Sequence, residues 1–284
     1  EKYINANILR KNINSSRYVK GVFYACFFTT VLVSGYHVYK YNMFERQYNK
    51  QLISKFNSQF DETFHRYFAM LYGVRAVFSM SPHISFKKWQ PYSHQILYPK
   101  RYPGIHGVAI VRPVYKNGLG AFLNQEKKLN GRAFKILSKT DNSKKEMAII
   151  QYAIKLYGKD PTGLDIRQEP LIQKALDKTR DDDKTTMVYK PQLQPKVFNH
   201  NKPVFILYVP IYKANKKIEN ILERRENFYG WVASPIYLKE LFQNVLGSDP
   251  DFNQLNMSMT FDNTNHNTLS LTPDKMNAPA IFPR

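Results

Sequence analysis

An apolar run without charged residues covers residues 21–39, between Lys20 and Lys40. At about 1.5 Å per helical residue, a helix over this run is roughly 28 Å long, close to the hydrocarbon thickness of a bilayer. Aromatic rings prefer the headgroup region, and tyrosines lie at both ends of the run. They are Tyr18, Tyr36, Tyr39 and Tyr41. The run therefore predicts a transmembrane helix over residues 19–40.

Two other interpretations of this run are a signal peptide and a buried core helix. The run is longer than the apolar part of a usual signal peptide, and no small-residue cleavage site follows it. The flanking lysines and aromatic ends favour a membrane span over a core helix. Lys and Arg are slightly more frequent before the run than after it, which favours a cytoplasmic N-terminus. We therefore expect residues 1–18 to be a cytoplasmic tail at the inner membrane and the chain after Tyr41 to be periplasmic.

A long stalk helix is predicted over residues 41–81. The segment 43–80 contains no proline, and apolar side chains recur every seven residues in two stripes, four positions apart. The stripes are Ile53, Phe60, Tyr67 and Val74, and Phe64, Leu71 and Phe78. Pro82 ends the helix, because the residue before a proline disfavours the helical conformation. A helix of this kind can pair with a second copy in a homodimer, pack on the following domain, or do both.

After Pro82 the chain alternates between short apolar strands and amphipathic helices. Helices are predicted from Phe86 onward and over residues 169–180 and 236–246. Strands are predicted over residues 106–114, 146–157, 186–193, 204–212, 228–233 and 255–261. A polar, basic linker is predicted over residues 213–227. This order of elements predicts an α+β fold with antiparallel sheets.

The charge of the chain does not by itself identify a partner. The 284 residues include 42 Lys and Arg against 22 Asp and Glu, a formal net charge of +20. These charges are spread along the chain rather than gathered in one basic arm, so they specify no nucleic-acid site. Compositional bias explains the excess equally well, and we expect no nucleic-acid partner.

The residues predict neither catalysis nor a metal or cofactor site. The single cysteine, Cys26, excludes an internal disulfide and any multi-cysteine metal centre. The chain lacks the sequence motifs of serine hydrolases, P-loop enzymes, zinc proteases and kinases. The acidic run Asp181-Asp182-Asp183 has no calcium-loop pattern, so we interpret it as a solvated loop.

Four segments, taken in order, give the chain a resemblance to a known family. They are Tyr72–Phe78 (YGVRAVF); Trp89 with Tyr102–Val108 (YPGIHGV); Gly163–Ile166 (GLDI) with Glu169-Pro170 and Ala175-Leu176; and Phe205–Tyr212 (FILYVPIY) with Gly230-Trp231-Val232. With these segments the chain resembles the CHASE domain, the extracytoplasmic sensory region of transmembrane histidine kinases and nucleotide cyclases. The resemblance runs from about Phe44 to Phe261.

The resemblance implies a stalk helix that carries two PAS-like antiparallel-sheet domains. It implies a membrane-distal, ligand-sensing domain over residues 82–212 and an incomplete membrane-proximal domain over residues 228–284. The ligand-binding residues expected on the distal domain are Tyr152, Asp165, Leu176, Tyr189, Phe205 and Tyr208. For the aromatic residues the alternative is core packing, and for Asp165 it is capping of the helix that follows.

The resemblance also implies partners and an output. An unknown small molecule is the expected ligand, and the basic charge slightly favours an anionic or polar one. In plant cytokinin receptors of this family an aspartate holds the adenine; its place here falls near Leu156, so a purine hormone is not implied. A second membrane span and a histidine kinase or diguanylate cyclase are expected beyond Arg284. The alternative is a membrane-anchored periplasmic binding protein without signalling output.

Overall fold

A computed structural model describes residues 2–81, 83–97, 101–131, 133–137, 145–155, 160–190, 204–247, 251–252, 257–260 and 268–271. Helix α1 (Lys2–Met80) covers the predicted span and the predicted stalk, and it ends where the Ser81-Pro82 pair predicts. Among the described residues, this helix alone is long and apolar enough to cross a membrane, with a window of mean hydropathy 1.4 whose side chains are all exposed. Residues 1–57 and residues 58–284 form two units, described separately.

Within the second unit, the last turns of α1 pack on the domain that follows. The predicted apolar seam is buried there at Tyr67, Leu71, Val74 and Phe78, whereas Ile53 in the first unit is half exposed. The ring of Phe78 contacts that of Trp89 edge to face, with centroids 5.0 Å apart. The prediction that the stripe packs on the following domain is confirmed for this part of the helix, and the homodimer stays a prediction.

The remaining elements confirm most of the predicted pattern. They are α2 (Phe86–Ile96), β1 (Gly107–Tyr115), α3 (Leu119–Asn130), β2 (Glu146–Lys155), α4 (Pro170–Asp182), β3 (Thr186–Lys190), β4 (Val204–Tyr212), α5 (Ile221–Glu226), β5 (Phe228–Tyr237), α6 (Leu238–Gly247), β6 (Met257–Thr260) and β7 (Thr268–Leu271). Helix α3, strand β7 and the short helix α5 within the expected linker were not predicted. The fold is α+β, as expected.

Strand β5 is the centre of a five-stranded antiparallel sheet with the order β2-β1-β5-β4-β3. It pairs with β1 on one side and along its whole length with β4 on the other. The sheet therefore contains strands from both sides of the linker expected at residues 213–227. The division into two PAS-like domains stays a prediction, but a boundary at that linker would divide this sheet. Strands β6 and β7 form a separate two-stranded sheet.

Helix α4 covers one face of the five-stranded sheet. The indole Nε1 of Trp231, on β5, donates a hydrogen bond to the carbonyl of Leu176, on α4, at 3.0 Å. Both side chains are fully buried in one core cluster. Tyr229 is the extra residue of a bulge in β5, so its side chain lies on the opposite face, where its ring is 6.3 Å from that of Phe78 on α1. The central strand thus contacts helices on both faces of the sheet.

The interpretation of Asp181-Asp182-Asp183 as a solvated loop is wrong. Asp181 and Asp182 are the last residues of α4, and Asp183 follows in the left-handed conformation that ends the helix. Asp181 accepts a bidentate pair of bonds from Arg225, at 3.0 and 2.6 Å, and a bond from Arg180 at 2.9 Å. The hydrogen bond from Arg225 lowers the pKa of Asp181 to about 2. The first and third acids of the run are therefore ion-paired, since Asp183 also accepts a bond from Arg75 on α1 at 2.8 Å.

Gly163, the glycine of the G-x-D segment, permits a close backbone approach. Its φ is +90°, and a Cβ placed on it would lie 2.0 Å from the carbonyl oxygen of Lys135. Its own N–H donates to Ile150 on β2 at 2.8 Å, and its carbonyl accepts from the N–H of Leu137 at 2.9 Å. This glycine therefore holds residues 133–137 against the edge strand β2.

We expect Gly163→Ala to destabilise the domain by about 3 kcal/mol or more, because the left-handed backbone and a backbone clash both oppose a side chain. Gly131→Ala is the matched control: its φ is +68°, but nothing lies within 4 Å of its Cβ position. That control should cost only about 1–2 kcal/mol. Urea unfolding of both variants measures the difference. Equal losses would contradict the close approach at Gly163.

Candidate functional site

A cleft opens beside the edge strand β2, between α3 and residues 133–137. We call it the edge-strand cleft. Its volume is about 230 Å³. Its lining residues are Phe86, Glu126, Asn130, Ala133, Phe134, Lys135, Leu137, Gln151, Tyr152, Asp160 and Thr162. Lys135 and Asp160 are exposed at the rim, whereas Glu126, Gln151 and Tyr152 are buried at the floor. The cleft thus has a polar, desolvated floor and partly aromatic walls.

The floor is a network of polar side chains around the carboxylate of Glu126, which is only 1% exposed. Gln151 Nε2 donates to Glu126 Oε1 at 2.6 Å, and Asn130 Nδ2 donates to Glu126 Oε2 at 3.0 Å. Helix α3 supplies Glu126 and Asn130 from successive turns of one face, since residues four apart lie side by side on a helix. These two amides are neutral, and so is the phenol of Tyr152, which also hydrogen-bonds to this carboxyl group.

A β-bulge turns Gln151 into the cleft. Ile110 pairs with Tyr152 and the next residue, Val111, pairs with Ile150, so Gln151 is the extra residue of β2. Neighbouring strand residues normally point to opposite faces, but the bulge lets Gln151 and Tyr152 line the same cleft. The Oε1 atom of Gln151 is buried and has no hydrogen-bond partner among the described residues. Such an unmade bond costs about 1–3 kcal/mol.

The floor is also bonded to the segment that follows α1. Tyr152 donates its hydroxyl to the carbonyl of Ile84 at 3.0 Å. Asn130 Oδ1 accepts the backbone N–H of Phe86, the first residue of α2, at 2.8 Å. The same two side chains bond to each other at 3.2 Å through Asn130 Nδ2 and the tyrosine oxygen. Any ligand that displaces these side chains therefore acts on residues 84–86.

Burial controls the ionisation of both titratable groups at the floor. Desolvation raises the pKa of the Glu126 carboxyl, and the hydrogen bond from Gln151 opposes that rise. Desolvation likewise raises the pKa of Tyr152, to about 12, so its hydroxyl is a neutral donor at physiological pH. The floor is thus a neutral phenol beside a carboxyl group whose charged form is destabilised.

Among the six residues expected to bind ligand, Tyr152 lines the edge-strand cleft. Asp165 does not reach it: its Oδ1 accepts the N–H groups of Ala148, at 2.9 Å, and Arg167, at 3.0 Å. The alternative role of Asp165, capping of the following helix, is wrong, because the residue before α4 is Glu169. Asp165 instead fastens residues 165–167 to β2.

The other four expected residues lie elsewhere in the domain. Leu176 and Tyr208 are buried in the core cluster between α4 and the sheet. Tyr189 and Phe205 form a cross-strand pair on β3 and β4, with ring centroids 5.9 Å apart. Because β3 and β2 are opposite edges of the sheet, about 19 Å of strand spacing separates Tyr189 from Tyr152. The fold does not bring the six residues into one pocket.

Sequence reasoning missed Glu126, Asn130 and Gln151. Helix α3 is rich in polar residues, and its two limits carry Gly118 and Gly131, a signal of helix ends that was available. Gln151 is a polar residue in the middle of an otherwise apolar strand, which was also a signal. Leu156 lies outside the described residues. Among the residues the structure describes, no group of three or more His, Cys, Asp or Glu side chains is placed to hold a metal ion.

The family comparison agrees with the motifs of the sequence. A family model described as CHASE domain matches residues 82–271, more than half of the chain. The match contains every residue that lines the edge-strand cleft and all five strands of the larger sheet. A search among curated proteins found no match.

Replacing Glu126 by Gln should remove a pH dependence of stability. A carboxyl group whose pKa is raised by folding stabilises the fold at low pH, and that contribution is lost as the pH rises through the folded-state pKa. Above pH 4.5, the ordinary value for this carboxyl, wild type should therefore lose stability relative to Glu126→Gln. Each kcal/mol shifts the melting temperature by about 2–4 °C in a domain of this size.

Thermal melts of both proteins between pH 4.5 and pH 8 measure this difference. Glu226→Gln, on the exposed end of α5, is the matched control and should follow wild type at every pH. Parallel melting curves for wild type and Glu126→Gln would mean that burial does not raise the pKa of Glu126.

Proposed function

Because the chain belongs to the CHASE domain family, we propose that it is the small-molecule-sensing region of a transmembrane signalling receptor, with the edge-strand cleft as its ligand site. CHASE domains are extracytoplasmic sensory domains of receptors. The observation that carries the proposal is the floor of the cleft, where the buried Glu126 and Gln151 line an open volume and Gln151 Oε1 has no hydrogen-bond partner among the described residues. Buried acceptors that lack full pairing favour a ligand that completes them.

In this proposal α1 anchors the domain in the inner membrane through residues 19–40, with residues 1–18 in the cytoplasm and the domain in the periplasm. The apolar window of α1 supports the anchor. Residues 41–81 are the stalk, which pairs with that of a second copy. The five-stranded sheet with α4 is the candidate for the membrane-distal PAS-like unit, and the strands after α6 are the candidate for the proximal one.

Ligand binding is coupled to α1 through the segment 84–86. Asn130 and Tyr152 each bond to the backbone of this segment, and α2 then places Trp89 against Phe78 in the last turns of α1. A ligand shifts the receptor only if it binds one of two arrangements more tightly. The bonds from the cleft floor to residues 84–86 are the contacts that such a difference changes.

A second connection joins α1 to the opposite edge of the sheet, near strand β3. Arg75 donates to Asp183 at 2.8 Å, directly before strand β3. The guanidinium of Arg75 also lies 5.4 Å from the ring centre of Tyr212 on β4. Displacement of either edge of the sheet therefore reaches the last turns of α1, at Phe78 in one case and at Arg75 in the other. The output reached through α1 is a histidine kinase or diguanylate cyclase outside this chain.

Thermal-shift screening of the full chain in nanodiscs tests the ligand site. A compound at 100 times its Kd should add about 2.7 kcal/mol to stability, which is several degrees in melting temperature. Tyr152→Phe removes the hydroxyl at the cleft floor and should weaken the binding of hits about tenfold. Tyr189→Phe makes the same chemical change on the opposite edge strand and should leave their binding unchanged.

Two outcomes contradict this site. Hits that depend on Tyr189 and not on Tyr152 would move the ligand to the other edge of the sheet. A broad metabolite library without any hit would favour the membrane-anchored binding protein, whose partner is an envelope polymer or another protein.

Reporter fusions test the proposed topology. Alkaline phosphatase, which is active only in the periplasm, should be active when fused after Tyr41 and inactive when fused after Ser16. The reverse pattern would place the domain in the cytoplasm and leave its positive charge available for nucleic acid.

A further inference from the structure

The floor of the edge-strand cleft presents hydrogen-bond acceptors to whatever enters it. The carboxylate of Glu126 is buried and bonded to two neutral amides, those of Gln151 and Asn130. These bonds supply donors to both carboxylate oxygens but no opposite charge. A buried carboxylate is stabilised much more by a cation than by an amide, because the local dielectric constant is low.

The second acceptor is the Oε1 atom of Gln151, and Glu126 determines its direction. The amide of Gln151 has a donor end and an acceptor end, and its bonding partners decide which end faces which group. Since a carboxylate only accepts, the NH₂ end of Gln151 must face Glu126, at 2.6 Å. The Oε1 atom of this cleft-lining residue is then the end of the amide turned away from Glu126, and it is buried without a partner among the described residues.

The walls and the size of the cleft limit the shape of its occupant. The aromatic side chains of Phe86, Phe134 and Tyr152 line the cleft around the floor, and aromatic faces attract cations. The volume of about 230 Å³ is below the roughly 300–1,000 Å³ of pockets that bury drug-sized ligands. A compact, flat molecule fits these walls better than a long one.

We propose that the edge-strand cleft binds a small organic cation with N–H donors, such as an amine, amidine or guanidine, through Glu126 and Gln151. One N–H group bonds to the carboxylate of Glu126, a second bonds to Gln151 Oε1, and the apolar part lies against the aromatic walls. This inference rests on the proposed function of the cleft and names the class of its ligand. It differs from the anionic ligand that the net charge of the chain favours.

The charged and titratable groups around Glu126 leave room for this cation. Arg112, on the neighbouring strand β1, stacks on the ring of Tyr229, with its Cζ 3.7 Å from the ring centre. Tyr152 is neutral at physiological pH. At the rim, Lys135 and Asp160 are both exposed and of opposite sign. Burial raises the pKa of Glu126, the hydrogen bond from Gln151 and the charge of Arg112 oppose that rise, and the ligand adds a second positive charge.

Three probes of one shape test the ligand class: benzamidine, benzamide and benzoate, which are cationic, neutral and anionic. Binding of each to the full chain in nanodiscs is measured by calorimetry at pH 7.5. We expect benzamidine to bind at least 10-fold more tightly than benzamide and benzoate not to bind. Glu126→Gln should reduce the affinity for benzamidine at least 10-fold, and Glu226→Gln, on α5, should leave it unchanged.

A pH series with wild type alone gives a second measurement that needs no variant to fold. Benzamidine keeps its charge between pH 4.5 and pH 8, whereas Glu126 titrates above its ordinary value of 4.5. Affinity for benzamidine should therefore rise with pH, while the contribution of Glu126 to the stability of the free protein falls over the same range. Affinity that stays constant over this range would overturn the role of Glu126.

The remaining outcomes separate this proposal from the function of the cleft. Equal or tighter binding of benzoate, or benzamidine binding that Glu126→Gln leaves unchanged, overturns the ligand class. Failure of benzamidine to bind to folded protein at 50 mM overturns it too. In each case the dependence of library hits on Tyr152 decides independently whether the edge-strand cleft is the sensory site.

Discussion

The insertion of β5 between β1 and β4 is the constraint on which the rest of the domain depends. Without it the chain has two separate hairpin-like pairs, β1–β2 and β3–β4, and isolated two-stranded sheets are marginally stable in water. Strand β5 joins them into one sheet wide enough to be covered by α4 on one face and by α1 on the other. Its buried Trp231 adds a hydrogen bond to α4, so the joined sheet is fixed to its cover.

The cleft lies beside β2, which is the outer strand on the side of the sheet that β5 joins through β1. Strand β2 pairs with β1 on one side, and residues 148–150 of its other side hydrogen-bond to residues 163–166. The bulge lies directly after this second pairing, and it places Gln151 beside Glu126. The segment after α1 is bonded to the same edge through Tyr152 and Asn130. The edge-strand cleft and the segment that follows α1 therefore meet at one part of the sheet.

Much of this fold could be predicted from the sequence, and the reasons differ between elements. The span, the stalk and strand β4 have long, regular apolar patterns, which are local properties of the chain. The place of β5 could not be predicted, because pairing between residues 107–115 and 228–237 is a non-local property. The local pattern of the acidic run at residues 181–183 predicts a solvent-exposed loop. In the structure, Arg225 and Arg75, which are far away in sequence, form ion pairs with two of its residues.

The candidate site was harder to predict than the fold. Aromatic residues on apolar strands, such as Tyr189 and Tyr208, carry the same signal whether they pack in a core or line a pocket. Glu126 and Asn130 lie on α3, which is rich in polar residues. Its sequence therefore does not indicate which face of the helix is buried. Gln151 becomes accessible to the cleft only through the bulge, and a bulge depends on how two strands align. The motifs of the sequence identify the family, whereas these three residues meet only in the folded domain.

The order of the strands also has a consequence in time. As the chain is synthesised, the pairs β1–β2 and β3–β4 are complete before β5 exists, and each must keep one edge unpaired until then. Unpaired edges of this kind can join with those of other chains. The nascent domain therefore passes through a vulnerable interval about as long as the synthesis of residues 213–237, and a chaperone that covers sheet edges would act during that interval.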